Sequence, residues 1–485
     1  MAALLDDAIR RHREGDLDGA ISLYQQLIDA DPGDADAWHL MGVAAHQQGK
    51  NELAAELIET AISIRPDVAD FHSNLGQVHQ ALGDDIQAEA SLRRALDLDP
   101  DHTKALSNLA ALDRRRGDLE SAASHASRAV AMAPGVAEAR VNQGNIFRDA
   151  GLVNEAIAAY RAAIERKPDY ALAHWNLALA LLLAGNYPEG FAELGWRWRW
   201  SGYASPRRDF GVPQWDGASV DGKTVLIHTE QGLGDAIQLV RYARLVAAKG
   251  ARVIVECPAP LVPWFETSGI AETIIAAGMP LPQIDFHVPL FDLPVIFETT
   301  LETVPAIVPY LRVDADLRAA QERQLTRYGG WRVGLNWVGN SDSPLEKFRR
   351  LPLDHFTALA AMPGIHWVSL QKGPDAVEAP PAPGVFKLID TGPEPIAETA
   401  ALIDCLDLVI TSDTVVAHMA GALGKPVWLA LHHAPDWRWG MSGVTSPWYP
   451  TARLFRQRIA GDWTDVAEEM RRALERGALT EFAGN

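Results

Sequence analysis

Cysteine is scarce. The 485 residues hold two, Cys257 and Cys405, far apart and outside any C-x-x-C spacing. Neither a disulfide framework nor a cysteine zinc site is available, and each reads as a small buried apolar residue. Long apolar runs are also missing, and none approaches the roughly 20 residues that a bilayer crossing requires. The opening Met-Ala-Ala-Leu-Leu-Asp-Asp has no basic segment and no long apolar core, so no signal peptide is expected. The expectation is a cytoplasmic protein with no membrane span. Positive charge is the third shortage. There are 44 Lys and Arg against 63 Asp and Glu, for a net charge of −19, of which −11 falls on residues 1–204 and −8 on the rest. With no Lys/Arg run in either part, nucleic acid is excluded as the main partner. The length is enough for two or three domains.

What the chain has in quantity is repetition. Pro32, Pro66, Pro100, Pro134 and Pro168 are spaced by 34, and so are Gly15, Gly49, Gly83, Gly117, Gly151 and Gly185. Ala20, Ala54, Ala88, Ala122 and Ala156 keep the same register, with Gly190 in the sixth place. The physical unit is a pair of amphipathic helices: glycine makes the turn, the small alanine lets the paired helices approach, and proline ends the second helix. These columns resemble tetratricopeptide repeats over residues 1–204, as five full units and a partial sixth. The resemblance implies an all-α superhelix with a concave groove. A further column, Asn74, Asn108, Asn142 and Asn176, is expected about three residues inside the first helix of each unit; Leu40 and Asp6 hold its earlier places. Asparagine is a poor mid-helix residue. Its amide both donates and accepts, which suits an extended peptide backbone. One reading is a ladder that holds a protein acceptor, similar to the peptide-binding repeats of O-GlcNAc transferase. The other is a bond to the adjacent repeat.

Residues 196–200 read Trp-Arg-Trp-Arg-Trp, which if extended places three indoles on one face. They form either a packed hinge or a stacking platform. Residues 205–222, rich in Gly, Pro and Ser, read as a surface linker. From Thr224 the pattern becomes alternating strands and helices, the signature of parallel sheets with crossover helices. The expected divisions are 223–328, 329–462 and a C-terminal segment, 463–485, whose helix packs back onto the first half. Two such Rossmann-like domains leave a cleft at the carboxyl ends of their strands.

Two stretches carry chemistry. His228 to Gln238 reads as strand end, glycine turn and helix start, with Gly232 and Gly234 for a tight turn and close ligand approach, and Asp235 where the helix begins. The second, Thr411-Ser412-Asp413-Thr414, leads from a strand into a helix bearing His418, an anion-binding arrangement; Ser412 or Asp413 is alternatively a helix cap. Two other strand ends converge there, Asn336 to Asn340 with Lys347, Arg349 and Arg350 shortly after, and Gln371-Lys372. Basic residues in these loops suit a nucleotide phosphate. The later aromatics around Asp436-Trp437-Arg438-Trp439 read as a stacking loop or as packing at a domain seam.

Gly232-Leu233-Gly234-Asp235, Gly334 to Asn340 and Ser412 to His418 resemble GT-B glycosyltransferases related to bacterial heptosyltransferases, over about residues 222–476. With the repeats, the chain resembles bacterial repeat-containing glycosyltransferases that modify proteins, flagellin among them. The resemblance implies metal-independent, inverting transfer with a nucleotide-sugar co-substrate and no cofactor. It places the nucleotide in the C-terminal half, and with the loop residues read above the nucleotide-sugar binding set is Gly232, Gly234, Asn336, Asn340, Lys347, Arg349, Gln371, Lys372, Ser412, Asp413, Thr414 and His418. The resemblance makes Asp235 the general base; the residues themselves leave Asp235 open as a helix cap, offer His228 either as a second candidate base or as a core or loop histidine, and give Asn74, Asn108, Asn142 and Asn176 to the acceptor. Heptosyltransferases commonly carry a histidine after that aspartate, where this chain has Ala236-Ile237-Gln238. They also have no repeats, which puts heptose and lipopolysaccharide in doubt. The competing functions are a glycan-directed glycosyltransferase whose repeats recruit a partner, and an inactive scaffold.

Overall fold

The computed structural model describes residues 2–339, 346–372, 388–390 and 395–476. The chain forms two compact units, Met1–Tyr170 and Ala171–Asn485.

The first unit is a run of helix pairs: α1 (Ala2–Glu14) with α2 (Leu17–Ala30), α3 (Ala35–Gln47) with α4 (Asn51–Ile64), α5 (Ala69–Ala81) with α6 (Asp85–Leu98), α7 (Thr103–Arg116) with α8 (Leu119–Met132), and α9 (Ala137–Asp149) with α10 (Val153–Arg166). The turn glycines adopt φ of 77–85°, the left-handed region that the intra-pair turn needs. Asp16, Asp34, Asp84 and Asp118 cap the following helices through their side chains. The alanine column from Ala20 to Ala156 is fully buried. A second small column stands opposite it. A Cβ on Gly42, Gly76 or Gly144 would come within 2.6 Å of Ile58, 2.6 Å of Leu92 or 2.5 Å of Tyr160. Both columns serve the same close approach within a pair.

The second unit begins with a sixth pair, α11 (Ala171–Leu183) and α12 (Tyr187–Glu193). Although repeats were expected to continue to residue 204 as one domain, this pair joins the sheets. Helix α11 is buried on nearly all sides, and the Tyr187 hydroxyl accepts a 2.9 Å bond from the Trp448 indole. Residues Leu194–Arg199 wind into a 3₁₀ helix, so the expected extended face of three indoles does not form. Arg197 turns inward at 1 % exposure, and the indoles stay half-buried. The stretch 205–222 is not a simple surface linker either. Trp215 and Val220 are buried, and the Trp215 N–H donates to the His287 carbonyl at 2.8 Å.

Two parallel sheets follow. The first has the order β3-β2-β1-β4, from β1 (Thr224–His228), β2 (Arg252–Cys257), β3 (Thr273–Ala276) and β4 (Phe286–Pro289). Its helices are α13 (Leu233–Leu239), α14 (Ala243–Ala248), α15 (Val262–Ser268) and α16 (Leu293–Ile296). The helical stretch after β1 is thus two short helices, α13 and α14, joined by a 3₁₀ turn at Val240–Tyr242. Helix α17 (Ala315–Leu325) leads into the second sheet. Its order is β10-β9-β8-β5-β6-β7, from β5 (Trp331–Asn336), β6 (Ile365–Ser369), β7 (Leu388–Ile389), β8 (Leu408–Thr411), β9 (Val427–Leu431) and β10 (Ala452–Arg456). Around these strands lie α18 (Glu346–Arg349), α19 (Thr357–Ala360), α20 (Ile396–Asp404), α21 (Val415–Ala422) and α22 (Thr464–Glu475).

The final helix does not pack back onto the first sheet as expected. Val466, Ala467, Met470, Ala473 and Leu474 form its apolar stripe, and they join the core of the second sheet with Val333, Trp428, Phe455 and Leu359. Across the two sheets α13 packs on α21, and α15 packs on α20.

Candidate functional site

The turn after β1 takes its shape from a residue other than its glycines. Gln231 adopts φ of 59°, while Gly232 is extended at −87°. The Ser205 hydroxyl accepts from the Gln231 N–H at 3.0 Å. Gly232 is the cap residue of α13, and its N–H donates to Asp235 Oδ2 at 2.9 Å. Asp235 therefore lies three residues past the cap and holds its own helix start. A Cβ on Gly234 would stand 2.8 Å from His418 Cδ2. The space that this glycine leaves is filled by a side chain of α21, not left for a ligand.

Asp235 also reaches outward. Its Oδ1 is ion-paired with Arg438 Nη2. Arg438 is 8 % exposed and divides its guanidinium among three partners. Nε donates to Gln238 Oε1 on α13, Nη1 donates to Asp436 Oδ1 at 2.7 Å, and Nη2 takes Asp235. Its carbon lies 4.4 Å from the Trp437 ring centroid. Burial pushes the Asp235 carboxyl above its ordinary range, and Arg438 pulls it back. Just beyond, Arg241 donates to the Gln238 and Trp448 carbonyls, both at 2.8 Å.

The second stretch is built differently from its expectation. Thr414, not Ser412 or Asp413, caps α21; its hydroxyl accepts from the Val416 N–H at 3.2 Å. The same hydroxyl donates to Asn336 Oδ1 at 2.8 Å, and Thr411 does so at 3.0 Å. Asn336 Nδ2 donates to Gln371 Oε1 at 2.9 Å, and that oxygen also accepts from the Val338 N–H at 3.0 Å. Asn336, Gln371 and Thr414 thus tie three strand ends together with groups that were expected to meet a nucleotide. Ser412 is fully buried, and its Oγ has no hydrogen-bond partner among the described residues. Asp413 is half-buried, and its carboxyl is pushed up to about 6, first by burial and then by the Asp436 charge.

His418 is 5 % exposed, bonded through Nδ1 to the Tyr449 hydroxyl at 2.9 Å, and 5.6 Å from the Trp439 ring. Burial holds the imidazole neutral. As built, it packs the two helices together instead of facing solvent where a nucleotide would lie. His228 is likewise a core histidine. It is 4 % exposed, lies 3.2 Å from His287 Nδ1 through Nε2, sits under Phe210, and is pushed down to about 3 by burial. That setting does not suit a base for an incoming hydroxyl. Lys347 is exposed beside Phe348. Arg349 donates to Glu346 Oε2 at 2.6 Å, and Glu346 Oε1 accepts from the Gly339 N–H at 2.7 Å. Lys372 is half-buried, and Asn340 lies outside the described residues.

In the repeats, the asparagine column falls at the sixth residue of α5, α7, α9 and α11, deeper than expected. Its rungs differ. Asn142 is exposed, Asn74 and Asn108 are half-buried, and Asn176 is 7 % exposed. Asn74 Nδ2 lies 2.7 Å from His39 Nε2 of the preceding pair, which is the bond to an adjacent repeat at that rung.

Sequence reasoning missed three groups here. Arg438 had been read only as part of an aromatic run. Gln238 had been noted only as a departure. The third is the buried set around Arg197, whose Nε and Nη2 donate to Glu230 at 2.8 and 2.9 Å and whose Nη2 also meets Asp292 at 2.8 Å. For Arg438 and Arg197 the signal available was an arginine between two tryptophans; Arg199 shares that setting and is exposed, and Gln238 has no such signal.

The tetratricopeptide repeat family profile matches residues 11–78 and 67–135, and the TPR repeat profile matches 144–185. The helix pairs are tetratricopeptide repeats. Over 331 residues the chain is 26 % identical to Protein FlbA of Caulobacter vibrioides, covering 63 % of this chain. It spans 55 % of that relative's length. Among solved structures it is similar to PilW, a widely conserved type IV pilus biogenesis factor, at 23 % identity and TM-score 0.37, over 41 % of this chain and 94 % of the other. It is also similar to YrrB, a TPR protein with an unusual peptide-binding site, at 24 % identity and TM-score 0.29, over 35 % and 88 %. No helix among the described residues is long and apolar enough to cross a membrane.

Proposed function

We propose that this protein is a GT-B glycosyltransferase that moves a sugar from a nucleotide-sugar to Ser or Thr hydroxyls of a protein acceptor held along its repeats. One observation carries the reading. The helices that follow β1 and β8 pack on each other, with Gly234 against His418, and Arg438 from the segment after β9 pairs with Asp235 at that seam. This is where ligands bind in open parallel sheets. In the reaction, Asp235 accepts the proton of the acceptor hydroxyl as its oxygen bonds to the anomeric carbon. The bond from that carbon to the diphosphate breaks, and the nucleoside diphosphate leaves with the electron pair. The positive end of the α21 dipole offsets the charge that develops there. Flagellin is the acceptor favoured by the sequence resemblance.

Incubation with labelled nucleotide-sugars and candidate acceptors tests this. Label in protein supports it, and label in glycan moves the acceptor class. Asp235→Asn is expected to abolish transfer while the thermal shift produced by the nucleotide persists; retained transfer removes Asp235 as the base. A scaffold without turnover is the second reading. It is favoured by the engagement of both Asp235 oxygens and by the internal bonding of Asn336, Gln371 and Thr414. Absence of turnover with every donor supports it.

A further inference from the structure

The segment after β9 sends one side chain across the seam to the helix that bears the proposed base. Arg438 comes from the second sheet, yet two of its three guanidinium nitrogens serve residues of α13, Asp235 and Gln238. The third nitrogen and the Arg438 backbone N–H both donate to Asp436 Oδ1, at 2.7 and 3.1 Å. The guanidinium is thus fixed from its own segment while it grips α13. It lies on the Trp437 ring and is almost wholly buried. A planar fork with fixed donors is the group that can do this, because an ammonium supplies charge without the geometry. Gln238 marks the direction of the grip. It is completely buried, and its Oε1 is given to Arg438.

We propose that Arg438 is a positioning residue for the transfer reaction, fixing the Asp235 carboxylate at the seam so that its unshared lone pairs point to the acceptor hydroxyl. The proposal rests on the reading of Asp235 as base. Arg438 does not touch the reacting atoms. It orients the group that does, and its positive charge opposes the rise that burial imposes on the carboxyl. It also means that the two sheets must be docked for the base to be competent.

The experiment compares the full-length wild type with Arg438→Gln, Arg438→Lys and Gln238→Ala in steady-state transfer across pH. Arg438→Gln is expected to lower kcat about 100-fold, the scale of a mispositioned general base, with donor and acceptor KM within about threefold. The acid limb of its kcat/KM profile should move to higher pH. Arg438→Lys should restore the position of that limb but only part of kcat, and Gln238→Ala should lower kcat by less than either, with an unmoved limb. A purely structural role would lower active fraction and leave the limb in place, which overturns the proposal. So does unchanged kcat in Arg438→Gln. Should that variant fail to fold, Arg438→Lys and Gln238→Ala decide the matter, because unchanged kcat in both overturns the proposal. Wild-type protein that turns over no donor overturns the glycosyltransferase reading itself. A coupling between Asp235 and Arg438 in a double-mutant denaturation cycle then still reports whether the contact exists.

Discussion

Single residues at the seam owe their states mainly to burial. Asp413 shows this best, because its carboxyl is pushed up to about 6 from 3.8 by burial and the neighbouring Asp436. The protonated form is the one that the fold prefers. Its contribution to stability is therefore fully present below about pH 3.8 and is lost as pH rises through about 6. Asp413→Asn, fixed in the uncharged state, should be more stable than the parent above pH 6, by up to about 3 kcal/mol at roughly 1.4 kcal/mol for each pKa unit. The difference should close below about pH 4. Urea denaturation at pH 4 and pH 8 measures it, and an equal effect at both pH values would remove burial of charge as its cause. What the sequence made legible at this scale was residue type, not partner. Asp235 and Asp413 were recognisable as carboxylates at strand–helix turns, because such turns have a fixed grammar. Arg438 was not, since it meets Asp235 across 203 residues and no local pattern encodes that distance. Gly234 was legible as a close approach, but the His418 ring that fills the space comes from another sheet.

Elements were more legible than residues, and the repeats most of all. A left-handed turn, a tight helix pair and a helix stop each demand a particular residue, so the period of 34 appears in several columns at once. The opposite small column was passed over because alanine replaces glycine at positions 110 and 178. Its tolerance is uneven. At Gly144 a methyl group would stand 2.5 Å from the Tyr160 ring, which is itself fully buried. Gly144→Ala should cost about 1–3 kcal/mol, as overpacking does, read from the denaturation midpoint. A neutral result would show that α9 and α10 can part. The asparagine column yields a functional test at the same scale. Replacing Asn108 and Asn142 together with Ala should weaken acceptor binding at least tenfold in a titration, with the melting temperature nearly unchanged; unchanged affinity would end the ladder idea. Asn142 is the exposed rung and matters most to that outcome. The amphipathic stripe of α22 was legible too. Its destination was not, because a stripe says that a core lies beneath it and not which core.

Considered whole, the molecule divides where its sequence does not. The repeat pattern runs on through Gly185, but the packing break falls between Tyr170 and Ala171. A fragment of residues 171–485 should therefore melt cooperatively, while 205–485 should not. The longer fragment keeps the Tyr187–Trp448 bond and the buried Arg197–Glu230 pair, and the shorter one loses both. Leaving Glu230 buried without its cation costs about 3–5 kcal/mol. Circular dichroism melts of the two fragments check this, and equal melting would place the boundary after residue 204. The longer fragment should also lose transfer to protein while retaining slow donor hydrolysis.

The hairpin of α11 and α12 belongs to the array by spelling and to the sheets by packing. That double allegiance gives the lineage a fixed splice point. Whole 34-residue blocks upstream of Tyr170 are free to be duplicated or dropped, because each stacks on a neighbour of its own kind. The last hairpin is not, since its Tyr187 and Phe191 rings are interlocked with Trp437 and Trp448. Natural variation in array length should thus be counted from the N-terminal side, with the hairpin inherited as part of the half that holds the sheets.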